Sequence, residues 1–152
     1  MNRLNSLPAG LHLDEVNEIT SALHTSLRFI LYGHLIDCYE LMYWPFIVDC
    51  IHGRLRCSPE AEEYARKGFL LCVQRIEKNE SGFYKRHHGT WLMLRSCTRS
   101  AFVLVAGARS GVSYLLPNNW KVVVRKVIHL LEYWQEESSD IRDRRDILLN
   151  LS

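Results

Sequence analysis

Apolar residues recur every three or four positions along most of the chain, which is the spacing that places them on one face of an α-helix. This pattern is clear in five stretches: from Asp14 to about Pro45, from Ser58 to about Lys78, from Arg86 to Gly111, from Trp120 to Trp134, and over a shorter length after Asp140. Strict apolar–polar alternation is absent, although Val122, Val123 and Val124 are locally β-prone. The pattern predicts an all-α protein of five to six helices.

The stretch from Arg86 to Gly111 is predicted to be the central helix, because apolar side chains cover most of its circumference and need neighbours on several sides. His88 and three of its arginines fall within roughly one quarter of the circumference at about 100° per residue. This basic stripe consists of His88, Arg95, Arg99, Ala106 and Arg109, with Phe102 among them. Gly111 is expected to end the helix.

Proline and glycine signals set the other boundaries. Residues 1–13 are expected to form an extended lead-in, and residues 14–152 the α-helical domain. Pro45 is expected to kink or end the first helix, with a short continuation to about His52, because proline lacks the N–H that a helix interior requires. Ser58 followed by Pro59 predicts a helix start, in which serine caps the exposed N–H groups.

Charge is unevenly distributed, although the net charge is only +2. No Asp or Glu occurs between Glu80 and Glu132, whereas the final stretch is rich in both. The basic central helix can pair with the acidic tail inside the fold, form a solvated face without a partner, or face an acidic partner such as nucleic acid. In the first case Arg95 and Arg99 pair with the acidic tail and Trp91 lies in the core.

The five cysteines are widely spaced, odd in number and without a Cys-x-x-Cys pair, and no secretory segment is recognisable. These features predict reduced thiols in an intracellular compartment. No charge-free apolar run reaches the length of about 18 residues that a membrane span requires, so no membrane association is expected.

Metal and catalytic patterns are also absent. His87 and His88 are adjacent and would point in different directions on a helix, and no metal-ligand spacing accompanies them. Cys97 lies within an apolar segment, which predicts a packed, inert thiol. No nucleophile motif or glycine-rich phosphate loop occurs, so the sequence predicts neither an enzyme nor a metal or cofactor.

Apolar surface remains in excess. Phe102, the seam from Trp120 to Trp134 and the corner formed by Tyr43, Trp44 and Phe46 each require a partner surface. The chain is therefore expected to belong to a larger α-helical domain or to dimerise.

Three blocks of aromatic and charged residues carry a family resemblance. They are Tyr39-Glu40-Leu41-Met42-Tyr43-Trp44-Pro45-Phe46, Arg86-His87-His88-Gly89-Thr90-Trp91 running into Leu94-Arg95-Ser96, and Leu131-Glu132-Tyr133-Trp134 with Glu137-Ser138-Ser139-Asp140. In this order they resemble the C-terminal part of the fungal-specific transcription-factor domain (the middle homology region) of fungal binuclear zinc-cluster transcription factors.

The resemblance implies a nuclear, all-α regulatory domain that binds a protein partner or a small-molecule effector. In that family DNA is read by a separate cysteine-rich zinc module that this sequence does not contain, so the chain alone is expected not to bind DNA specifically. The alternative is a stand-alone helical interaction or dimerisation module, such as a truncated paralogue. The residues expected to form an effector or partner surface are Arg86, His87, His88, Trp91, Arg95 and Arg99.

Overall fold

The computed structural model describes residues 22–53 and 58–152, and in these ranges its regular structure is helical, without strands. The all-α prediction is confirmed. The helices are α1 (Ala22–Ile51), α2 (Pro59–Asn79), α3 (Thr90–Arg109), α4 (Trp120–Trp134) and α5 (Ser139–Leu151), with short 3₁₀ turns at Glu80–Gly82 and Ser113–Leu115. None of these helices is both long enough and apolar enough to cross a membrane. The predicted lead-in over residues 1–13 and the predicted helix start at Asp14 lie outside the described residues.

The chain divides into two units, residues 1–39 and residues 40–152. The described part of the first unit is the N-terminal portion of α1, on which Cys38 is exposed. The second unit holds the C-terminal portion of α1 and all of α2 to α5, and it contains every site described below.

Helix α3 is the central helix of the second unit, as its apolar circumference predicts. It packs against α2, α4 and α5. Cys97, Ala101 and Leu104 are completely buried along its length. The buried Thr98 hydroxyl donates to the Leu94 carbonyl at 2.6 Å, which removes the cost of an unpaired polar group in this core.

The start of α3 differs from the prediction, because the helix begins at Thr90 rather than at Arg86. The Thr90 hydroxyl accepts a hydrogen bond from the His87 N–H at 2.8 Å and holds the preceding loop against the first turn. His88 therefore lies in this loop. The prediction that His88 belongs to the basic stripe of the helix is wrong.

Pro45 lies inside α1, so the expectation that it ends the helix is wrong. The segment predicted as a short continuation forms the last turns of the same helix. Ile47 and Cys50 in these turns are buried in the core, and their burial stabilises helix beyond the proline. Leu41, whose carbonyl would otherwise accept the missing N–H, is 75% exposed, so water can reach this part of the backbone.

The predicted helix start at Ser58 and the predicted helix end at Gly111 are confirmed. The Ser58 hydroxyl accepts the Ala61 N–H at 3.3 Å, and Pro59 follows at the first helical position. Gly53 and Gly111 follow the ends of α1 and α3 with φ angles of 63° and 85°, a backbone conformation that favours glycine.

The seam of α4 is covered within the fold. Val124, Val127, Leu131 and Trp134 are buried among α2, α3 and α5. The expectation that this seam needs an external partner is therefore wrong. By contrast, Trp44 of the aromatic corner remains 43% exposed.

Helices α2 and α3 approach closely at Gly107. A Cβ atom at this position would lie 2.8 Å from Cε1 of Phe69 and 3.2 Å from Cδ2 of Leu116. Because Phe69 is completely buried, its ring cannot move aside without disturbing the surrounding core. Glycine at this position therefore sets the spacing between the two helices.

Replacing Gly107 with alanine is expected to lower the free energy of unfolding by about 1–3 kcal/mol, because overpacking outweighs the better helix propensity of alanine. Urea denaturation followed by circular dichroism measures the change. Gly33→Ala is the matched control, since outside its own helix backbone no described atom lies within 4 Å of a Cβ at Gly33, and it should be neutral or stabilising. Equal effects of the two substitutions would contradict the close-packing argument.

Candidate functional site

A buried ionic cluster connects three helices of the second unit. The Glu40 Oε2 atom on α1 accepts hydrogen bonds from Arg75 Nη2 of α2 at 2.5 Å and from Arg99 Nη2 of α3 at 2.7 Å. Glu40 and Arg75 are buried, whereas 52% of the Arg99 side chain is exposed. One carboxylate thus contacts two guanidinium groups, and the Arg99 group lies on the solvent side of the cluster.

An open groove lies beside this cluster, between α1, α3 and α5, with a volume of about 520 Å³. Among the described residues, its lining combines apolar side chains with three arginines and includes no carboxylate. The lining residues are Trp44, Ile51, Arg95, Thr98, Arg99, Phe102, Val103, Ala106 and Arg144. We call this the large groove. It exposes one edge of the buried ionic cluster through Arg99.

A second groove of about 230 Å³ adjoins the first, between α3, α4 and α5. Arg95, Thr98 and Arg144 line both grooves, so the two form one continuous surface. The other residues of this small groove are Trp91, Leu94, Leu131, Asp140 and Ile141. Asp140 supplies a carboxylate there, 2.9 Å from Nε of Arg144.

The three groove arginines differ in how far their charge is compensated. Arg99 shares Glu40 with Arg75, and Arg144 pairs with Asp140. Arg95 is exposed and makes no hydrogen bond or ion pair with any residue that the structure describes. An anionic group that enters the large groove would therefore meet Arg95 without having to displace another carboxylate.

An aromatic cluster adjoins the small groove on the far side of Trp91. Trp134 is buried at its centre, and its Nε1 atom donates to the Phe83 carbonyl at 2.7 Å. The Trp91 ring lies 6.3 Å from the Trp134 ring in an edge-on arrangement. The Arg86 guanidinium lies 5.3 Å from the same indole and forms an ion pair with Glu137.

The six residues predicted to form a functional surface fall into four places. Arg95 and Arg99 lie together in the large groove, and Trp91 lies beside them in the small groove. Arg86 is held in the aromatic cluster. His87 and His88 are exposed in the loop before α3 and line neither groove.

The interpretation that the basic helix pairs with the acidic tail holds in part. Arg86 pairs with Glu137 of the tail. Arg99 instead pairs with Glu40 on α1, and Arg95 has no described partner, so this interpretation is wrong for both. Trp91, which the same interpretation places in the core, is 50% exposed.

Glu40, Arg75 and Arg144 were missed by the sequence analysis. Arg75 directly precedes Ile76 on the apolar face of α2, and Glu40 lies within the aromatic block of α1. A charged residue within an apolar stripe usually has a buried partner of opposite charge, and that was the available signal. It did not identify the partners, which lie 35 and 59 residues from Glu40 in the chain.

The two buried thiols near this site, Cys72 and Cys97, have low reactivity because they stay protonated. Burial raises the pKa of Cys72 from 9.0 to about 12, with a smaller contribution from the neighbouring Glu40 carboxylate. Burial likewise raises the pKa of Cys97 to about 12, which agrees with the prediction of an inert thiol. Among the described residues, no group of three or more His, Cys, Asp or Glu side chains could hold a metal ion.

Comparison with known proteins adds no relative: no protein-family model, curated protein or solved structure matches this chain. The function is therefore argued from the grooves and their residues.

Replacing Glu40 with alanine is expected to lower the free energy of unfolding by about 3–5 kcal/mol, because the buried Arg75 guanidinium loses this carboxylate. Thermal and urea denaturation measure the loss. The control is Glu63→Ala, which removes a carboxylate from ion pairs on an exposed face of α2 and should change stability by less than about 1 kcal/mol. Comparable losses of unfolding free energy in the two variants would contradict the argument that the buried Glu40 carboxylate matters more for stability than an exposed one.

The thiols are expected to react with iodoacetamide in the order of their exposure. At about pH 8, Cys38 should be alkylated in the folded protein, whereas Cys72 and Cys97 remain protonated and shielded. Peptide mass spectrometry after timed quenching measures the labelling, and labelling in urea gives the control in which these thiols all react.

The same raised pKa values predict a pH dependence of stability. The thiols ionise near pH 9 in the unfolded chain and near pH 12 in the folded chain. Their contribution to the free energy of unfolding is therefore fully present below pH 9. The free energy of unfolding should fall as the pH rises from about 9 towards 12, and a Cys72→Ala, Cys97→Ala variant should show a smaller slope. An unchanged slope would contradict the raised values.

Proposed function

We propose that this chain is the regulatory and interaction portion of a fungal zinc-cluster-type transcription regulator, and that it acts in the nucleus by binding a partner at the two grooves. The proposal is supported by the position of the three sequence blocks that resemble the fungal-specific transcription-factor domain, because all three contribute residues to the grooves. The first block contributes Trp44 to the large groove, the second contributes Arg95 to both grooves, and the third contributes Leu131 and Asp140 to the small groove. Blocks that are distant in sequence thus contribute to one continuous surface.

The chemistry of this surface favours binding over catalysis. Glu40 is engaged by two guanidinium groups, and the buried Cys72 and Cys97 thiols hold their protons. Exposed arginines beside aromatic and aliphatic side chains are the combination enriched in protein interfaces. We therefore assign the grooves a role in recognition and assign no reaction to this chain.

The second candidate is a stand-alone module that pairs with a copy of itself or with a longer relative. Exposed apolar side chains on α1 favour it, because Leu41 is 75% and Met42 61% exposed on adjacent positions. Sedimentation equilibrium of the wild-type chain and of a Leu41→Glu, Met42→Glu variant tests this candidate. A wild-type dimer that the variant abolishes would favour the second candidate over the first.

The transcriptional role is tested by fusing the whole chain to a heterologous DNA-binding module in yeast. The fusion should change transcription of a reporter severalfold relative to the DNA-binding module alone, because the chain recruits or excludes a partner. Arg95→Glu should reduce this change, since it reverses the charge of the uncompensated arginine. The matched control is Arg125→Glu, an exposed arginine of α4 that lines neither groove.

A fusion that leaves the reporter at the level of the DNA-binding module alone would overturn the transcriptional proposal. Mapping the 5′ end of the natural transcript gives an independent measurement. A reading frame that continues upstream into a cysteine-rich zinc module supports the first candidate, whereas a transcript that begins at Met1 favours the stand-alone module.

A further inference from the structure

We propose that the large groove binds an acidic, amphipathic helical segment of a protein partner. This inference rests on the proposed function and specifies the chemistry of the partner that binds at the same site. The proposed complex places apolar side chains of the segment against Trp44 and Phe102, and an Asp or Glu of the segment against Arg95. Three properties of the groove support this occupant: its length along α3, its apolar anchors and the sign of its uncompensated charge.

The length of the groove suits a helix of about three turns. Its α3 wall runs from Arg95 to Ala106, which corresponds to roughly 16 Å at about 1.5 Å per residue. The groove is an open trough between α1, α3 and α5. A helical segment of about 12 residues fills such a trough with one face and leaves the other face in water.

The apolar part of the groove offers separate contact points. Trp44 on α1 is 43% exposed, and Ile51 near the end of the same helix and Phe102 on α3 are half-buried. Trp44 and Ile51 are seven residues apart, so they lie on the same side of α1, two turns from one another. Partner side chains spaced at i, i+4 and i+7 match this arrangement.

The electrostatics select the sign of the partner. Arg95 has no counterion among the residues that the structure describes, whereas Arg99 contacts Glu40. The described residues that line the large groove include no carboxylate that would repel an acidic residue. A guanidinium group can bind a carboxylate through two hydrogen bonds, so Arg95 provides orientation as well as attraction.

Nucleic acid is the other anionic occupant that the basic central helix suggests, and the groove suits it less well. Binding along a phosphate backbone needs several uncompensated cations in a row. Here Arg99 and Arg144 each already contact a carboxylate, which leaves Arg95 as the groove arginine without a counterion in the part of the chain that the structure describes. One such cation beside apolar anchors matches an acidic amphipathic peptide better than it matches a polyanion.

The test is a selection from a displayed library of helical peptides of about 12 residues, performed with the full chain at physiological salt. Apolar residues are fixed at the i, i+4 and i+7 positions, and the remaining positions vary among Glu, Gln and Lys. Selection on the wild-type protein should enrich Glu over Lys at positions next to the apolar face. Selection on Arg95→Glu should lose or reverse this preference, and selection on Arg125→Glu should retain it.

Affinities of the selected peptides give the second measurement. Fluorescence anisotropy should show that Arg95→Glu weakens the best peptide at least tenfold, and that Trp44→Ala weakens it by a similar factor. Arg125→Glu should leave the affinity within about twofold of the wild type. Circular dichroism establishes that each variant is folded at the temperature of the measurement.

Two results would overturn the inference. In the first, Glu is not enriched over Lys on the wild-type protein, or the preference is the same on Arg95→Glu. In the second, a mixed-sequence DNA probe binds more tightly than the best peptide at the same salt and loses that binding in Arg95→Glu. If the reporter fusion nevertheless changes transcription, the regulatory function stands and its partner binds elsewhere; if peptides bind but the reporter is unchanged, the groove stands and the transcriptional role fails.

Discussion

The structure of the second unit depends on one buried carboxylate. Glu40 lies between two arginines and connects α1, α2 and α3 through a single oxygen atom. A charge in this position would be costly without compensation, and the two guanidinium groups supply that compensation only if all three helices hold their relative positions. The ionic cluster therefore acts less as a source of stability than as a constraint on how these helices pack, because few other arrangements would pair all three charges.

This constraint also shapes the large groove. Glu40 and Trp44 are one turn apart on α1, and Arg95 and Arg99 are one turn apart on α3, so each pair lies on one face of its helix. When Glu40 binds Arg99, Trp44 and Arg95 come to line the same groove. The buried ionic cluster thus orients the exposed walls of the groove and gives them defined positions.

The segment between Glu80 and Glu132, which contains no Asp or Glu, is less basic in the folded structure than its sequence suggests. Arg86 reaches Glu137, Lys126 reaches Glu80, and Arg109 donates to the Leu151 carbonyl. Most of these contacts are exposed and contribute little energy individually, but they compensate the cations locally. Arg95 has no carboxylate contact among the described residues, and it lies in the large groove beside Trp44 and Phe102. This position beside aromatic side chains distinguishes it from an arginine on an open helix face such as Arg125.

The helical class, the central position of α3 and the serine and glycine caps could be read from the sequence, because spacing and capping are local properties. Arg95 and Arg99 could also be selected, since one helix face displays both. The sequence did not reveal four other features: the role of Glu40, the pairing of Arg75, the continuation of α1 through Pro45 and the exposure of Trp91. Each depends on which distant helix supplies a charge, a buried contact or a covering surface, and only the tertiary packing decides that.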